Sequence, residues 1–154
     1  MEKSIKEIYL NHEGKVSDKW SLYINEWINI FSPLRDNEVN LLEIGIQNGG
    51  SLEIWGKYFS KAKNIIGVDI NKKCAELDFS DPRITLIVGD INTEKVGKKI
   101  IKASPEFDII LDDGSHTSSD TIQSFVNYFN YLTDNGVYII EDLHTSYWRK
   151  FEGG

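Results

Sequence analysis

The sequence predicts an α/β fold, a Rossmann-like and doubly wound sheet whose strands are mostly parallel. Three observations support this prediction: short apolar runs, helical spacing of apolar residues between those runs, and the length and composition of one globular domain. The chain has 154 residues, of which 40% are hydrophobic and 27% charged, with only three prolines. This composition excludes a fibrous or intrinsically disordered chain.

The strands are predicted from five apolar runs, each short enough to be one buried strand of a parallel sheet. The runs cover residues 39–46, 65–68, 84–88, 107–111 and 137–140. Between them, apolar residues at helical spacing predict helices over residues 52–59, 96–101 and 122–132. Residues 72–81 predict no more than one helical turn. An earlier helix, from Trp20 to Phe31, is predicted to end near Pro33 and to have Ser17 or Asp18 as its N-cap.

Charge and cysteine content restrict the partners and the compartment. The 17 basic and 24 acidic residues give a net charge of −7, which repels nucleic acid and anionic lipid. The apolar runs are far shorter than the roughly 20 residues needed to cross a bilayer. One cysteine, Cys74, cannot form an internal disulfide, so we expect a protein of the reducing cytoplasm with neither nucleic acid nor membrane as partner.

The ends of the first three strands carry features typical of a binding site for a nucleotide-like ligand. Parallel sheets bind such ligands at the carboxyl ends of their strands. The first strand leads into EIGIQNGGS, residues 43–51, where glycines allow a tight turn before a helix N-terminus. Asp69 follows the second strand and could accept hydrogen bonds from a ribose, and Asp90 follows the third and could bind an adenine amine. A turn shaped only for packing, with solvated aspartates, is the alternative.

The fourth and fifth strands end in DDGSH and EDLH, which bring four carboxylates and two histidines together. Such carboxylates repel one another unless a positive charge lies among them, and hard oxygen ligands suit magnesium better than zinc. His116 could act as a base, because imidazole titrates near neutral pH. His144 could orient Glu141 or simply lie on the surface. In the alternative without a metal, Asp112 caps the loop and the other acids are solvated.

These motifs together are similar to a known family. LLEIGIQNGGSLEIW, IIGVDI, IILDDGSHT and IIEDLHTSYW resemble the class I S-adenosylmethionine-dependent methyltransferases, and specifically the macrocin and mycinamicin sugar O-methyltransferase-like family. The resemblance covers most of the chain, including GKVSDKW. It departs from the family pattern at Gln47, where many methyltransferases have glycine, and at Trp20, where relatives often have histidine.

The resemblance implies S-adenosylmethionine as cofactor, Mg²⁺ as metal and a sugar-containing small molecule as methyl acceptor. It implies His116 as the general base and a metal site of Asp113, Glu141 and Asp142. The implied cofactor-binding residues are Glu43, Gly45, Gln47, Gly49, Ser51, Asp69, Asp90 and Asp112. Two alternatives stay open: a nicotinamide-dependent oxidoreductase, disfavoured by the G-x-x-x-G spacing of the turn, and a non-catalytic cofactor-binding or assembly module.

The resemblance also predicts the domain organisation. We expect residues 1–154 to form a single domain, with a helical or lid segment over residues 1–35 and a cofactor-binding core over residues 36–154. A complete sheet of this class has seven strands, so the C-terminal strand hairpin is expected to be missing. The edge of the fifth strand then meets further chain, pairs with a second copy, or is short and solvated. Lys15 is a candidate counter-charge for the cofactor carboxylate, and His12 lies in the same polar cluster.

Overall fold

The computed structural model describes residues 3–154, so the first two residues of the predicted segment 1–35 lie outside it. The described residues form one sheet of five parallel strands in the order β3-β2-β1-β4-β5, which confirms the predicted doubly wound fold. The strands are β1 (Asn40–Ile44), β2 (Asn64–Asp69), β3 (Ile84–Val88), β4 (Phe107–Asp112) and β5 (Leu132–Ile140). The strand order reverses between β1 and β4, so ligands are expected beyond the carboxyl ends there.

Residues 3–154 also form five α-helices: two precede β1, and the other three, together with short 3-10 segments, connect the strands. The helices are α1 (Ile5–Leu10), α2 (Ser21–Phe31), α3 (Gly50–Tyr58), α4 (Glu94–Ala103) and α5 (Ser118–Tyr128). The weak segment 72–81 contains a single 3-10 stretch, Lys72–Glu76, as predicted. The predicted N-cap of α2 is wrong: Trp20 holds that position without a side-chain cap, because Ser17 and Asp18 lie in the extended segment before it.

The core lies in two layers, one on each face of the sheet. Neighbouring residues of β1 point to opposite faces, so Leu41 packs in one layer and Leu42 in the other. The first layer contains α1, α2 and α3 and is rich in aromatic rings; Trp27 and Trp55 meet edge to face with centroids 5.0 Å apart. Both faces of the strands β1 and β4 are therefore covered, which explains their nearly continuous apolar sequence.

The edge strand β5 and the helix α5 differ from their predicted packing. Strand β5 begins at Leu132 rather than at residue 137, because Leu132 already pairs with Phe107; the register then shifts before Val137 pairs with Ile109. Helix α5 buries Ser124 and Tyr128, and its more apolar face is exposed. That face carries Ile122, Phe125, Val126 and Phe129. Among the described residues, no strand pairs with the outer edge of β5, and no helix is long and apolar enough to span a membrane.

Candidate active site

A cavity of about 500 Å³ opens at the carboxyl ends of the five strands, where the fold class places its ligands. Every strand contributes to its wall through the residues that follow it. The lining includes Gly45, Gln47, Asp69, Asp90, Asp112, Asp113, His116, Glu141 and Asp142. The structure thus brings nine of the twelve predicted site residues to one cavity, including the predicted base and the predicted metal ligands.

The glycine turn and Asp69 form one rigid unit. Asp69 Oδ2 accepts hydrogen bonds from the backbone N–H groups of Ile46 and Gln47, both at 3.0 Å, and its Oδ1 accepts one from Asn71 at 2.8 Å. Gly45 has φ of +81°, and a Cβ atom there would overlap the backbone carbonyl of Asp113. Glycine at this position therefore lets the turn pass directly against the loop after β4.

Asp90 and Asp112 lie beside this unit and are also held by nearby backbone. Asp90 Oδ1 accepts a hydrogen bond from the N–H of Asn92 at 2.8 Å, and Asp112 Oδ1 accepts one from the N–H of Gly114 at 3.2 Å. Burial raises the pKa of Asp112 to about 6, and the hydrogen bond from Gly114 opposes that rise. Asp112 therefore combines a role in shaping the loop with a place in the cavity wall.

The other three predicted cofactor residues, Glu43, Gly49 and Ser51, are not part of the cavity wall. Glu43 is fully buried under the glycine turn, where its Oε2 accepts hydrogen bonds from Ser51 Oγ at 2.8 Å and Trp55 Nε1 at 3.0 Å. Gly49 has a left-handed φ of +78° and lies against the ring of Phe79. Their contact with a cofactor stays a prediction, and here they support the turn from behind.

Three side chains at the other end of the cavity form a group that could hold a metal ion. One ligand atom from each of Asp113, His116 and Asp142 lies within 4.8 Å of the others. His116 Nε2 is 3.7 Å from Asp113 Oδ1 and 3.8 Å from Asp142 Oδ2. Both His116 and Asp142 have a left-handed backbone, with φ of +58° and +56°, which is uncommon for residues other than glycine. Carboxylates in this arrangement suit a hard divalent ion.

Glu141, a predicted metal ligand, lies just behind this group. Its Oε2 accepts a hydrogen bond from Lys19 Nζ at 3.1 Å, whereas its Oε1 is buried and has no hydrogen-bond partner within residues 3–154. Burial raises the pKa of Glu141, and the ammonium of Lys19 opposes that rise. A buried oxygen without a partner is costly, and a cation would satisfy it.

Lys19 lies within the cluster of strand-end acids and was missed by sequence reasoning. Its Nζ lies 2.6 Å from Asp113 Oδ2, 3.1 Å from Glu141 Oε2 and 3.3 Å from Glu43 Oε1, and its side chain is only 5% exposed. Burial alone would lower the pKa of Lys19, but the three carboxylates raise it above its ordinary value. The repulsion expected among the strand-end acids was the available signal, because it required a nearby positive charge.

Tyr23, on the first turn of α2, was also missed. Its hydroxyl donates a hydrogen bond to Asp142 Oδ1 at 2.8 Å and accepts one from the Asp142 backbone N–H at 3.1 Å. Burial and the bond to Asp142 raise the pKa of Tyr23. The left-handed backbone of Asp142 is thus held in place by a residue 119 positions earlier in the chain.

The other polar candidates, Lys15, His12 and His144, are not members of the group formed by Asp113, His116 and Asp142. Lys15 Nζ pairs with Glu53 at 2.9 Å and lies 4.5 Å from the ring centre of Phe79, so here it anchors the N-terminal segment to α3. His12 Nε2 donates a hydrogen bond to the Lys15 carbonyl oxygen at 3.0 Å and lies 3.2 Å from Glu53 Oε2. His144 is exposed and contacts aromatic rings rather than Glu141.

This geometry is matched by the comparison with known families. Residues 42–143 match a family model described as a methyltransferase domain, and the chain therefore belongs to that family. The matched segment contains all the residues that line the cavity except Asp18 and Trp20, which belong to the N-terminal segment. Family membership also argues against the nicotinamide-dependent oxidoreductase alternative.

Individual relatives confirm the more specific resemblance to sugar O-methyltransferases. The chain is 36% identical over 146 residues to 8-demethyl-8-alpha-L-rhamnosyl tetracenomycin-C 2'-O-methyltransferase of Streptomyces olivaceus, and the match covers 89% of this chain and 38% of that protein. It is 36% identical over 130 residues to mycinamicin VI 2''-O-methyltransferase of Micromonospora griseorubida, covering 80% of this chain and 32% of that protein. The chain thus spans about a third of the length of these relatives.

A solved structure shows the same fold. The MycE methyltransferase from the mycinamycin biosynthetic pathway, in complex with Mg, SAH and mycinamycin VI, superimposes with a TM-score of 0.78 at 33% identity. The match covers 89% of this chain and 36% of that one. The five-stranded sheet described here is therefore the arrangement found in a methyltransferase.

Proposed function

We propose that the chain is the cofactor- and metal-binding part of an S-adenosylmethionine-dependent, magnesium-dependent O-methyltransferase that acts on a sugar hydroxyl of a glycosylated small molecule. One observation carries the proposal: a single cavity has Asp69 and Asp90 at one end and the group Asp113, His116 and Asp142 at the other. Methyl transfer requires cofactor and acceptor to be held in line, and this cavity offers a distinct set of side chains for each.

The cofactor is assigned to the end formed by the glycine turn. Gly45 and Gly49 would lie nearest the methionine portion, Asp69 would bind the ribose hydroxyls and Asp90 the adenine. Asp69 is already fixed by three backbone N–H groups, so its carboxylate is positioned before a ligand arrives. Asp69→Ala should therefore weaken S-adenosylhomocysteine binding by about 1.5–3 kcal/mol, the scale for hydrogen bonds to a charged group.

Asp113, Glu141 and Asp142 would hold the divalent ion, which when bound lowers the pKa of a coordinated sugar hydroxyl. The residues fit such an ion, because two carboxylates face each other beside His116 and the buried Oε1 of Glu141 has no partner among the described residues. Lys19 neutralises the inner side of the same cluster. The remaining charge is negative and is directed towards the cavity.

His116 is proposed as the base that removes the acceptor proton. Its ring lines the cavity, and its distances of 3.7 Å and 3.8 Å to the neighbouring carboxylates are longer than hydrogen bonds. Nε2 is therefore not held by a hydrogen bond to either acid and would be free to accept the proton of an acceptor hydroxyl in the cavity. Since base catalysis contributes about 10² to 10⁴-fold, His116→Ala should lower the methylation rate by that factor and leave S-adenosylhomocysteine affinity unchanged.

The proposal is tested by calorimetric titration of the chain with S-adenosylmethionine and, as a negative control, with NAD, each with and without magnesium. Methylation of a rhamnoside is then measured as release of S-adenosylhomocysteine, before and after excess chelator. We expect cofactor binding that does not need the metal, and turnover that does. Binding of cofactor and metal without any methyl transfer would instead support the non-catalytic module, and full activity in excess chelator would remove the metal role.

The exposed edge of the sheet and the single cysteine bear on how the protein assembles and in which compartment it works. We propose that the free edge of β5 and the exposed face of α5 are covered by a second copy or by further chain, because Ile122 and Val126 there are 64% and 62% exposed. The buried, unpaired Cys74 agrees with a reducing cytoplasm. Sedimentation equilibrium would show whether two copies associate.

A further inference from the structure

Five aromatic rings form a connected arc beside the mouth of the cavity, and we refer to them as the aromatic arc. Neighbouring ring centroids are 5.5, 5.0, 6.1 and 6.4 Å apart along the arc. In order, its members are Trp20, His144, Trp148, Phe151 and His116. Both terminal members, Trp20 and His116, also line the cavity. The arc therefore leaves the cavity at one side and returns to it at the predicted base.

The arc exposes its two largest rings to solvent. Trp20 is 57% exposed and Trp148 is 53% exposed, whereas Trp27 and Trp55 in the core are 2% and 1% exposed. Two exposed tryptophans connected through one further ring are unusual, because burying the large apolar surface of each from water is favourable. Apolar patches of this kind beside a polar cavity are typical of ligand-binding surfaces.

The arc is fixed relative to the metal-capable group. Trp20 follows Lys19, whose Nζ is held by Asp113 at 2.6 Å. The segment that carries His144 is tied to the loop after β4 by the buried Thr145, whose hydroxyl donates a hydrogen bond to the His116 carbonyl at 3.1 Å. A ligand that contacts the arc would therefore be placed at a defined distance from Asp113 and His116.

We propose that the aromatic arc binds the apolar body to which the acceptor's sugar is attached, an inference that rests on the proposed function. A sugar whose hydroxyl reaches Asp113 and His116 fills the metal end of the cavity, so the group attached to that sugar must leave through the mouth. Trp20 lines the cavity, and Trp148, connected to it through the ring of His144, lies outside the cavity lining. Exposed aromatic rings gain free energy when they cover apolar surface, so the arc favours an attached body that is apolar.

The experiment compares two probes on protein saturated with S-adenosylhomocysteine and Mg²⁺. Methyl α-L-rhamnoside carries only a methyl group on its sugar, and p-nitrophenyl α-L-rhamnoside carries an apolar ring. Dissociation constants come from NMR titrations. We expect the p-nitrophenyl glycoside to bind about tenfold more tightly, the scale for burying part of one ring. Trp148→Ala and Trp20→Ala should reduce this preference to less than about threefold, which is a loss of at least half of that free energy.

Phe129→Ala is the matched control, because Phe129 is an aromatic residue 48% exposed on the protein surface and is not part of the arc. It should keep the tenfold preference. If Trp148→Ala still bound S-adenosylhomocysteine and Mg²⁺ and kept the wild-type preference for the p-nitrophenyl glycoside, the arc would not bind the attached apolar body. The proposed function would be unaffected. If Trp148→Ala instead lowered the sedimenting mass without changing the preference, the arc would be a contact between copies of the chain. Failure of the wild-type protein to bind S-adenosylhomocysteine or Mg²⁺ would contradict the proposed function itself.

Discussion

The two ends of the cavity are built in different ways. The cofactor end, formed by Gly45, Asp69 and Asp90, is held by backbone N–H groups. Asp69 and Asp90 each accept a hydrogen bond from the N–H group two residues later, and Asp69 also accepts those of Ile46 and Gln47, 23 and 22 positions earlier. The metal end, formed by Asp113, His116 and Asp142, depends on side chains much farther away in sequence. Lys19 is 94 positions from Asp113 and 122 from Glu141. One end is thus held by the backbone of two neighbouring strand ends, and the other by side chains from the N-terminal segment.

This difference has an energetic consequence. At the metal end, one ammonium and three carboxylates are largely removed from water, and their mutual attraction offsets a large desolvation cost only while the cluster is complete. Removing one partner leaves charges buried without compensation. Breaking the cluster at the metal end should therefore destabilise the fold far more than breaking an ion pair on the surface.

The largest effect is expected for Lys19→Met, which keeps the apolar stem of the side chain and removes its charge. Glu43, Asp113 and Glu141 would then face one another without a cation. We expect the free energy of unfolding to fall by roughly 3–5 kcal/mol, the scale for breaking a buried ion pair, as measured by urea denaturation at pH 7 without divalent ions.

Lys63→Met provides the matched control. Lys63 pairs with Glu38 at 2.8 Å, but their side chains are 58% and 68% exposed. Surface pairs of this kind contribute little to stability, so the control should change it far less than Lys19→Met does. Equal effects of the two substitutions would remove the distinction between the buried cluster and the surface.

The same contrast explains what the sequence could predict. The strands and the acids that follow them were predictable, because in a parallel sheet the carboxyl ends of neighbouring strands meet at one edge. Asp69, Asp90 and Asp113 were found in this way. Lys19 and Tyr23 were missed because their partners follow in the chain only after several intervening elements, and a local pattern does not show which charges fold together.

Two helices show the same limit. Helix α1 has only six residues, too few for a periodic pattern, although its capping box of Ser4 and Glu7 was a usable signal. Helix α5 was predicted from apolar spacing, yet residues such as Ile122 are exposed, because periodicity identifies a face of a helix without identifying what covers it. The aromatic arc, whose members come from three separate segments, was equally hidden from sequence analysis.

An intermediate effect of opposite sign is expected for Asp112→Asn. Burial raises the pKa of Asp112 to about 6, above the ordinary aspartate value of about 4. The folded protein therefore binds more protons between these values, and stability falls as pH rises through this window. Asparagine removes that cost and can still accept the Gly114 N–H. We expect Asp112→Asn to stabilise the protein by about 1–3 kcal/mol at pH 8 and to have little effect below pH 4.

Thermal or urea unfolding at several pH values measures this effect. Asp134→Asn, at an exposed position of β5, should change stability by less than about 0.5 kcal/mol at pH 8. If Asp112→Asn proved no more stable than wild type at pH 8, the carboxylate would not be strained by burial, and the cavity would be wetter than described.

The smallest effect is expected for Tyr23→Phe, which removes the hydroxyl that holds Asp142. Partners that orient a metal ligand typically change metal affinity by about 10- to 100-fold, and this partly exposed one should lie near tenfold. Manganese titration followed by electron paramagnetic resonance would measure the loss. Binding of S-adenosylhomocysteine should stay unchanged, because the hydroxyl that is removed bonds only to Asp142 at the metal end. Wild-type manganese affinity in Tyr23→Phe would show that Asp142 needs no support from α2.

Paired titrations of two variants test whether the cofactor end and the metal end of the cavity bind their ligands independently. Asp69→Ala and Asp113→Asn are each titrated with S-adenosylhomocysteine and, separately, with manganese. We expect Asp69→Ala to lose about 10- to 100-fold in S-adenosylhomocysteine affinity and to keep manganese binding. We expect Asp113→Asn to lose manganese affinity by a similar factor and to keep S-adenosylhomocysteine binding. Loss of both ligands in either folded variant, or of neither in both, would contradict a cavity with separate cofactor and metal ends.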